Sequence, residues 1–206
     1  MLTAADAETF ERCMAVGGIA LFPADTVYGL ACDARHREAV ERLYLLKRRP
    51  LAKASAVMLF DVELALAAVP DAGPRVRAAM AALLPGGVTL LLANPRRRFP
   101  LACGEDPESL GLRVPALPPA AAALHAVQWP ILQSSANRAG EPDARTVADV
   151  PAGLRDAVDL VLDAGPLPGT PSTVIDLRRF DASGEWSIVR SGAVAVADVE
   201  AALDGV

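Results

Sequence analysis

Apolar and polar positions along the 206-residue chain alternate between short apolar runs and stripes of helical spacing. Thr3, with Asp6 three residues on, makes a helix cap, and residues 4–16 read as the first helix, ended by Gly17-Gly18. Residues 19–22 are a short apolar run, predicted as a buried strand that stops at Pro23. Residues 37–49 carry Val40, Leu43, Tyr44, Leu45 and Leu46 at helical spacing, with basic residues gathered at the end. A strand at 55–60, helices at 62–69 and 74–84, and a strand at 88–93 follow, the second helix stopping at Pro85-Gly86-Gly87. Residues 94–108 form a polar loop, 110–114 a strand and 118–127 a helix. A strand starting at Ile131-Leu132 runs into a loop at 134–142, further strands fall at 158–162, 173–177 and 186–189, and residues 196–203 close the chain as a helix.

Strands and helices interleave throughout, which places the chain in the α/β class. Their irregular order and several helix-free connections predict a mixed sheet. No internal repeat or low-complexity linker divides the chain, so the expectation is one domain over residues 1–206. Hydrophobic residues make up 52% and aromatics only 4%, which predicts a core of aliphatic side chains. A net charge of −5 argues against holding nucleic acid by global electrostatics. No apolar run approaches the ~18 residues of a membrane span, and the first residues carry acids where a signal peptide needs positive charge; a cytoplasmic protein is expected. Cys13, Cys32 and Cys103 are far apart without a CxxC pair, and only His36 and His125 are present, so neither a disulfide framework nor a zinc site is expected.

Four polar segments sit at the ends of predicted strands, where α/β folds place ligands. They are Pro23-Ala-Asp-Thr-Val-Tyr-Gly-Leu30, then Lys47-Arg-Arg49 with Lys53, then Ser134-Ser-Ala-Asn137, then Pro171-Ser-Thr173 with Val189-Arg-Ser-Gly192. Read singly, the basic cluster also suits a solvated helix C-terminus, and the hydroxyls and amides suit turns and caps. No phosphate-binding P-loop, GxGxxG or GxSxG motif is present, and neither histidine sits in a triad context.

Together these segments carry a resemblance. Pro-Ala-Asp-Thr-Val-Tyr-Gly-Leu, Lys-Arg-Arg-Pro, Pro-Gly-Gly-Val-Thr-Leu, Gly-Leu-Arg-Val-Pro, Ser-Ser-Ala-Asn-Arg-Ala-Gly-Glu-Pro, Ser-Thr-Val-Ile-Asp and Val-Arg-Ser-Gly-Ala occur in that order between Gly17 and Ala193. The ordered set resembles the YrdC/Sua5/TsaC family of threonylcarbamoyl-AMP synthases, in its short single-domain form. The resemblance implies a twisted mixed sheet with a concave, positively lined cleft. It implies formation of threonylcarbamoyl-AMP and pyrophosphate from L-threonine, bicarbonate and ATP, for the N6-threonylcarbamoyl modification of a tRNA adenosine. Carried over residue by residue, the KxR and SxN constellation falls on Lys47, Arg49, Ser135 and Asn137 as the catalytic set. Those four with Lys53 and Arg190 are expected to bind ATP phosphates, and Thr26, Tyr28, Arg113 and Ser172 to bind threonine. Mg²⁺ is expected to arrive with ATP, held by its phosphates, and the product to pass to a separate threonylcarbamoyl transferase.

The chain departs from the family pattern at Ala24, where threonine is usual, at Ala54, Gly87 and Pro171, and at Ala139 in place of serine. Two other readings accompany the resemblance. One is adenylation of a different carbamate, as in larger multidomain relatives. The other is a non-catalytic RNA-binding or ribosome-associated paralogue, in which Arg96, Arg97 and Arg98 with the basic cluster between Arg42 and Lys53 form a basic patch; weak RNA binding is its lesser form.

Overall fold

The computed structural model describes residues 1–138 and 140–206. Its helices are α1 (Ala4–Ala15), α2 (Arg37–Leu46), α3 (Val62–Ala68), α4 (Pro74–Leu83), α5 (Ala152–Arg155), α6 (Phe180–Ser183) and α7 (Val196–Leu203). Its strands are β1 (Ala20–Pro23), β2 (Tyr28–Asp33), β3 (Ala56–Met58), β4 (Val88–Ala93), β5 (Ser109–Arg113), β6 (Ile131–Ser135), β7 (Leu160–Val161), β8 (Thr173–Asp176) and β9 (Ser187–Arg190). The nine strands form one sheet in the order β7-β1-β2-β6-β3-β5-β4-β8-β9. Parallel pairs (β1 with β7, β3 with β5, β4 with β8) mix with antiparallel ones, as the irregular element order predicts.

The local signals act as expected at α1. Thr3 Oγ1 accepts from the Asp6 N–H at 3.3 Å, and the Asp6 carboxylate accepts from the Thr3 N–H at 2.7 Å. Four expectations are corrected. β2, whose first residues the sequence reads as part of the polar segment 23–30, is a fully buried strand joined to β1 through Ala24, Asp25, Thr26 and Val27. Its sequence, Tyr-Gly-Leu-Ala-Cys-Asp, is weak in β-formers, so its pairing with β1 and β6 decides its state. Ser134 and Ser135 belong to β6 and not to the loop after it. Residues Pro119–Ala126 wind as a 3₁₀ helix. The short helices α5 and α6 had no counterpart in the sequence reading.

Side chains alternate across the sheet. One face presents Leu21, Leu30, Val57, Leu90, Leu112, Leu132 and Ile175 to a core that includes buried residues of α2, α3, α4 and α7. The other face is divided. Beneath α1 and the 3₁₀ helix it is apolar, with Ala20, Phe22, Ala31, Met58 and Ile131 packed on Phe10 and Met14. Phe10, Phe22 and Phe60 meet there with ring centroids 5.5–6.3 Å apart. Beyond that cover the same face continues through Ala56, Thr89, Leu91, Ser109, Gly111, Arg113, Gln133, Ser135 and Val174, which floor an open cleft. Among the described residues no helix is long and apolar enough to cross a membrane.

Two glycines on this face differ in what surrounds them. A Cβ at Gly29 would meet Gln133 Nε2 at 2.8 Å and Phe22 Cε1 at 3.0 Å, closer than packing allows, whereas one at Gly111 would meet Ala56 Cα at 3.5 Å and Leu91 Cδ2 at 3.7 Å. Gly29→Ala is therefore expected to cost about 1–3 kcal/mol of stability through overpacking, and Gly111→Ala to change it by less than about 1 kcal/mol. Urea unfolding of both variants beside the native chain checks the contrast; equal losses would contradict it.

Candidate active site

The cleft is built where loops leave the sheet, and its polar groups come from segments distant in sequence. At the end of α2 the helix closes with Arg48 N–H donating to Leu45 O at 3.0 Å and Arg49 N–H to Tyr44 O at 2.9 Å. Arg48 stands at the left-handed position, φ 51°, that this termination requires and that glycine usually fills. The reversal sends the flanking side chains in different directions. Lys47 is buried and Arg49 lines the cleft.

Lys47 Nζ donates to the carbonyls of Ser135 and Asn137, the latter at 2.9 Å, and approaches Asn137 Oδ1 at 3.5 Å. Ser135 Oγ donates to Asn137 Oδ1 at 2.6 Å, while Asn137 Nδ2 donates to Glu141 O at 2.7 Å and Asp143 Oδ1 at 3.1 Å. Sequence reasoning brought Lys47, Ser135 and Asn137 into one site, and the structure joins them in one network. Lys47 sits behind the Ser135–Asn137 turn and holds its carbonyls, while Ser135 and Arg49 face the cleft. Arg49 Nη2 donates to Ala54 O at 2.5 Å, its guanidinium lies 5.8 Å from the Tyr44 ring centroid, and its buried Nε has no partner among the described residues.

A second polar group lies across the floor. Arg113 is nearly inaccessible and pairs with Asp25 at 2.6 Å; it also reaches Thr26 Oγ1 at 3.3 Å. Asp25 is itself held by the Ala116 N–H at 3.2 Å. Arg113 Nε is buried without a partner among the described residues. Burial works most strongly against the Arg113 charge and Arg190 repels it, while Asp25 supports it. Arg190 Nη2 donates to Ser172 O at 2.8 Å, and the Ser172 hydroxyl shares a hydrogen bond with Thr89 Oγ1 at 2.8 Å. Only Arg113 of these two guanidiniums has a carboxylate partner among the described residues, and its Nε–H is buried unpaired, so the pair is prepared to receive an anion.

Besides Lys47 and Asn137, three candidates fall outside the cleft lining. Tyr28 projects to the opposite face of the sheet, because its neighbour Gly29 occupies the cleft side, and its phenol donates to Asp163 Oδ1 at 2.8 Å. Lys53 is exposed, and only its backbone carbonyl is engaged, by Tyr44 Oη at 2.8 Å. Thr26 is buried behind Arg113 and does not line the cleft itself. Of the departures from the family pattern, Ala24 is a buried core residue, Pro171 lines the cleft, and Ala139 lies outside the described residues. Sequence reasoning missed Thr89, Ser109, Gly111, Gln133 and Asp143 as cleft residues, and Asp25 as the Arg113 partner. The signal that finds most of them is period-two alternation along β4, β5 and β6, readable once one strand's core face is known. Arg96 and Arg98 both face Asp71, at 2.9 and 3.8 Å, and Arg97 faces Glu108 at 3.3 Å, so carboxylates oppose the arginine triplet proposed for RNA.

Burial, and secondarily Arg49, push the Lys47 ammonium down to about 8, with Asp143 pulling the other way. The unfolded chain, with lysine at 10.5, binds more protons than the native one between these values, so this group makes stability rise with pH above about 8. The native chain is expected to gain on Lys47→Met between pH 7 and 9, by at most about 1.4 kcal/mol per pH unit. Denaturant unfolding of both across that range measures it; a constant difference would contradict the depressed value.

The family model Sua5_yciO_yrdC, described as Telomere recombination, matches residues 12–192. The threonylcarbamoyl-AMP synthase of Chromohalobacter salexigens is 36% identical over 162 residues, which cover 79% of this chain and 87% of that protein. Among solved structures, P. abyssi Sua5 complexed with L-threonine matches with a TM-score of 0.85 at 23% identity, covering 98% of this chain and 58% of that one. E. coli YciO matches with a TM-score of 0.80 at 24% identity, covering 97% of this chain and 95% of that one. The two structures share the fold, and the family model spans the Lys47, Ser135–Asn137, Arg113 and Arg190 segments that build the cleft. This chain belongs to the Sua5/YciO/YrdC family.

Proposed function

We propose that this chain is an L-threonylcarbamoyladenylate synthase, a nucleotidyltransferase that serves the N6-threonylcarbamoyl modification of tRNA adenosine. The observation that carries the reading is the pair of anion-accepting groups on one cleft floor. Arg49 with the Ser135–Asn137 turn lies toward β6, and Arg113 with Arg190 and Ser172 lies toward β8 and β9. An amino acid joined to a nucleotide phosphate has this layout, with a carboxylate at one end and phosphates at the other. The naming of the C. salexigens relative and of the threonine-bound P. abyssi protein supports it.

In this reading the amine of threonine attacks the carbon of bicarbonate, water leaves, and a carbamate forms. A carbamate oxygen then attacks the α-phosphorus of ATP, and pyrophosphate departs. No protein nucleophile is required; positioning and charge compensation carry the rate. Arg113 receives the threonine carboxylate on its spare N–H while Asp25 keeps the guanidinium in plane. Arg49 and the Ser135 and Asn137 groups receive the phosphates, with Lys47 fixing the turn from behind. The hard oxygen donors Asp143, Ser135 and Asn137 suit Mg²⁺ held mainly by the triphosphate, which lowers phosphate charge repulsion when bound. The acyl phosphate product is labile, so a separate transferase that carries the group to RNA consumes it.

The test is pyrophosphate release from ATP with Mg²⁺ and bicarbonate, with and without L-threonine and with serine as control. Threonine-dependent release, with threonylcarbamoyl-AMP identified by mass spectrometry, is expected; release indifferent to threonine would overturn the reading. Arg49→Ala is expected to lower kcat/KM by an amount corresponding to roughly 2–5 kcal/mol, as for a phosphate partner desolvated when the ligand binds. Turnover near that of the native chain would remove Arg49 from the phosphate site.

A further inference from the structure

One polar side chain on the cleft floor takes no part in either charged group. Gln133 is 6% exposed, lies on β6 two residues before Ser135, and its amide has no hydrogen-bond partner among the described residues. The amide atoms keep accessible surface in the cleft, where a ligand can pair them. The surroundings explain how the amide is kept free for a ligand. Gln133 is flanked across the sheet by Ala31 and Ala56, and Gly111 lies beside Ala56, so among the described residues these neighbours offer its head group no polar side chain. Gly29 leaves the space that the amide occupies, since a Cβ there would meet Gln133 Nε2 at 2.8 Å.

Its place and its chemistry select the ligand group. Gln133 sits between the Ser135 end of the cleft and the Arg113 end, and it is the one primary amide among the described lining residues. Guanidinium groups match the carboxylate and the phosphates at those ends. The group that joins them in the product is a carbamate, which offers a neutral carbonyl acceptor next to an N–H donor. A primary amide, with donors and an acceptor on one head, complements it. We infer that Gln133 is a substrate-binding residue for the carbamate, hydrogen-bonding it while it forms from bicarbonate and while it is adenylated. This rests on the synthase reading above.

Gln133→Met keeps the length of the side chain and removes its hydrogen bonds. In bicarbonate-depleted buffer with bicarbonate added back, the KM for bicarbonate in pyrophosphate release is expected to rise about tenfold, the scale of one lost hydrogen bond. The KM for ATP is expected to stay within about twofold, because the phosphate groups lie at the Arg49 end. An unchanged KM for bicarbonate would overturn the inference. So would an equal rise for bicarbonate, threonine and ATP, which would make Gln133 a packing residue of the floor. Gln133→Glu, of the same shape but without the donors, provides the same readout should the methionine variant fail to fold, and is expected to raise the bicarbonate KM further by repelling the anion. A native chain that turns over without threonine would overturn the synthase reading itself. A native chain that needs threonine beside a variant with unaltered bicarbonate dependence would overturn only the role of Gln133.

Discussion

Successive residues of a strand point to opposite faces, and in this chain that constraint separates the core from the chemistry. On β4, β5 and β6 the residues Leu90, Leu112 and Leu132 are driven out of water against the helical layer, which obliges Leu91, Gly111 and Gln133 to face the other way. The helices α1 and Pro119–Ala126 cover the β1–β2 end of that second face and reach Ile131 of β6 and Met58 of β3, but no further. The uncovered remainder becomes a cleft because its residues are small or polar. A one-residue slip of β5 would place Arg113 in the core and Leu112 in the cleft, so the register that stabilises the core also aims the guanidinium.

Keeping cations on such a floor is costly, and the structure meets the cost locally. Arg113 is almost wholly removed from water, and burial, with a smaller part from Arg190, works against its charge. Asp25, carried on the β1–β2 hairpin and fixed by the Ala116 N–H, supplies the compensating carboxylate and sets the orientation of the guanidinium. Its Nε–H is buried without a partner among the described residues, and an incoming carboxylate can use it. Lys47 follows a different course. Its ammonium makes no ion pair among the described residues, Asp143 supporting it only from a distance, and it is satisfied by backbone carbonyls of the Ser135–Asn137 turn. The charge of a lysine thus holds the shape of a turn, and the turn presents Ser135 and Asn137.

The same economy of small residues explains Gln133. Ala31, Ala56, Gly29 and Gly111 around it contribute neither partners nor obstruction, so its amide remains open to the cleft between two charged ends. Larger residues at these positions would give a better-packed floor and no room for a ligand.

The sequence by itself determined the α/β class, α1 with its Thr3–Asp6 cap, α7, β4 and β5, because capping and apolar runs are local signals that burial reinforces. It also determined the family, since seven short motifs in order carry information that no single one holds. It brought Lys47, Arg49, Ser135, Asn137, Arg113, Ser172 and Arg190 into one candidate site on that resemblance. Only the tertiary structure decided that Tyr-Gly-Leu-Ala-Cys-Asp is the strand β2, because its state depends on pairing with β1 and β6 and not on its own propensity. Only the tertiary structure turned Tyr28 to the far face, put Lys47 behind the turn and left Gln133 on the floor. Which face of a strand meets solvent depends on where a distant helix such as α1 comes to rest, and no local pattern in β2 or β6 records that.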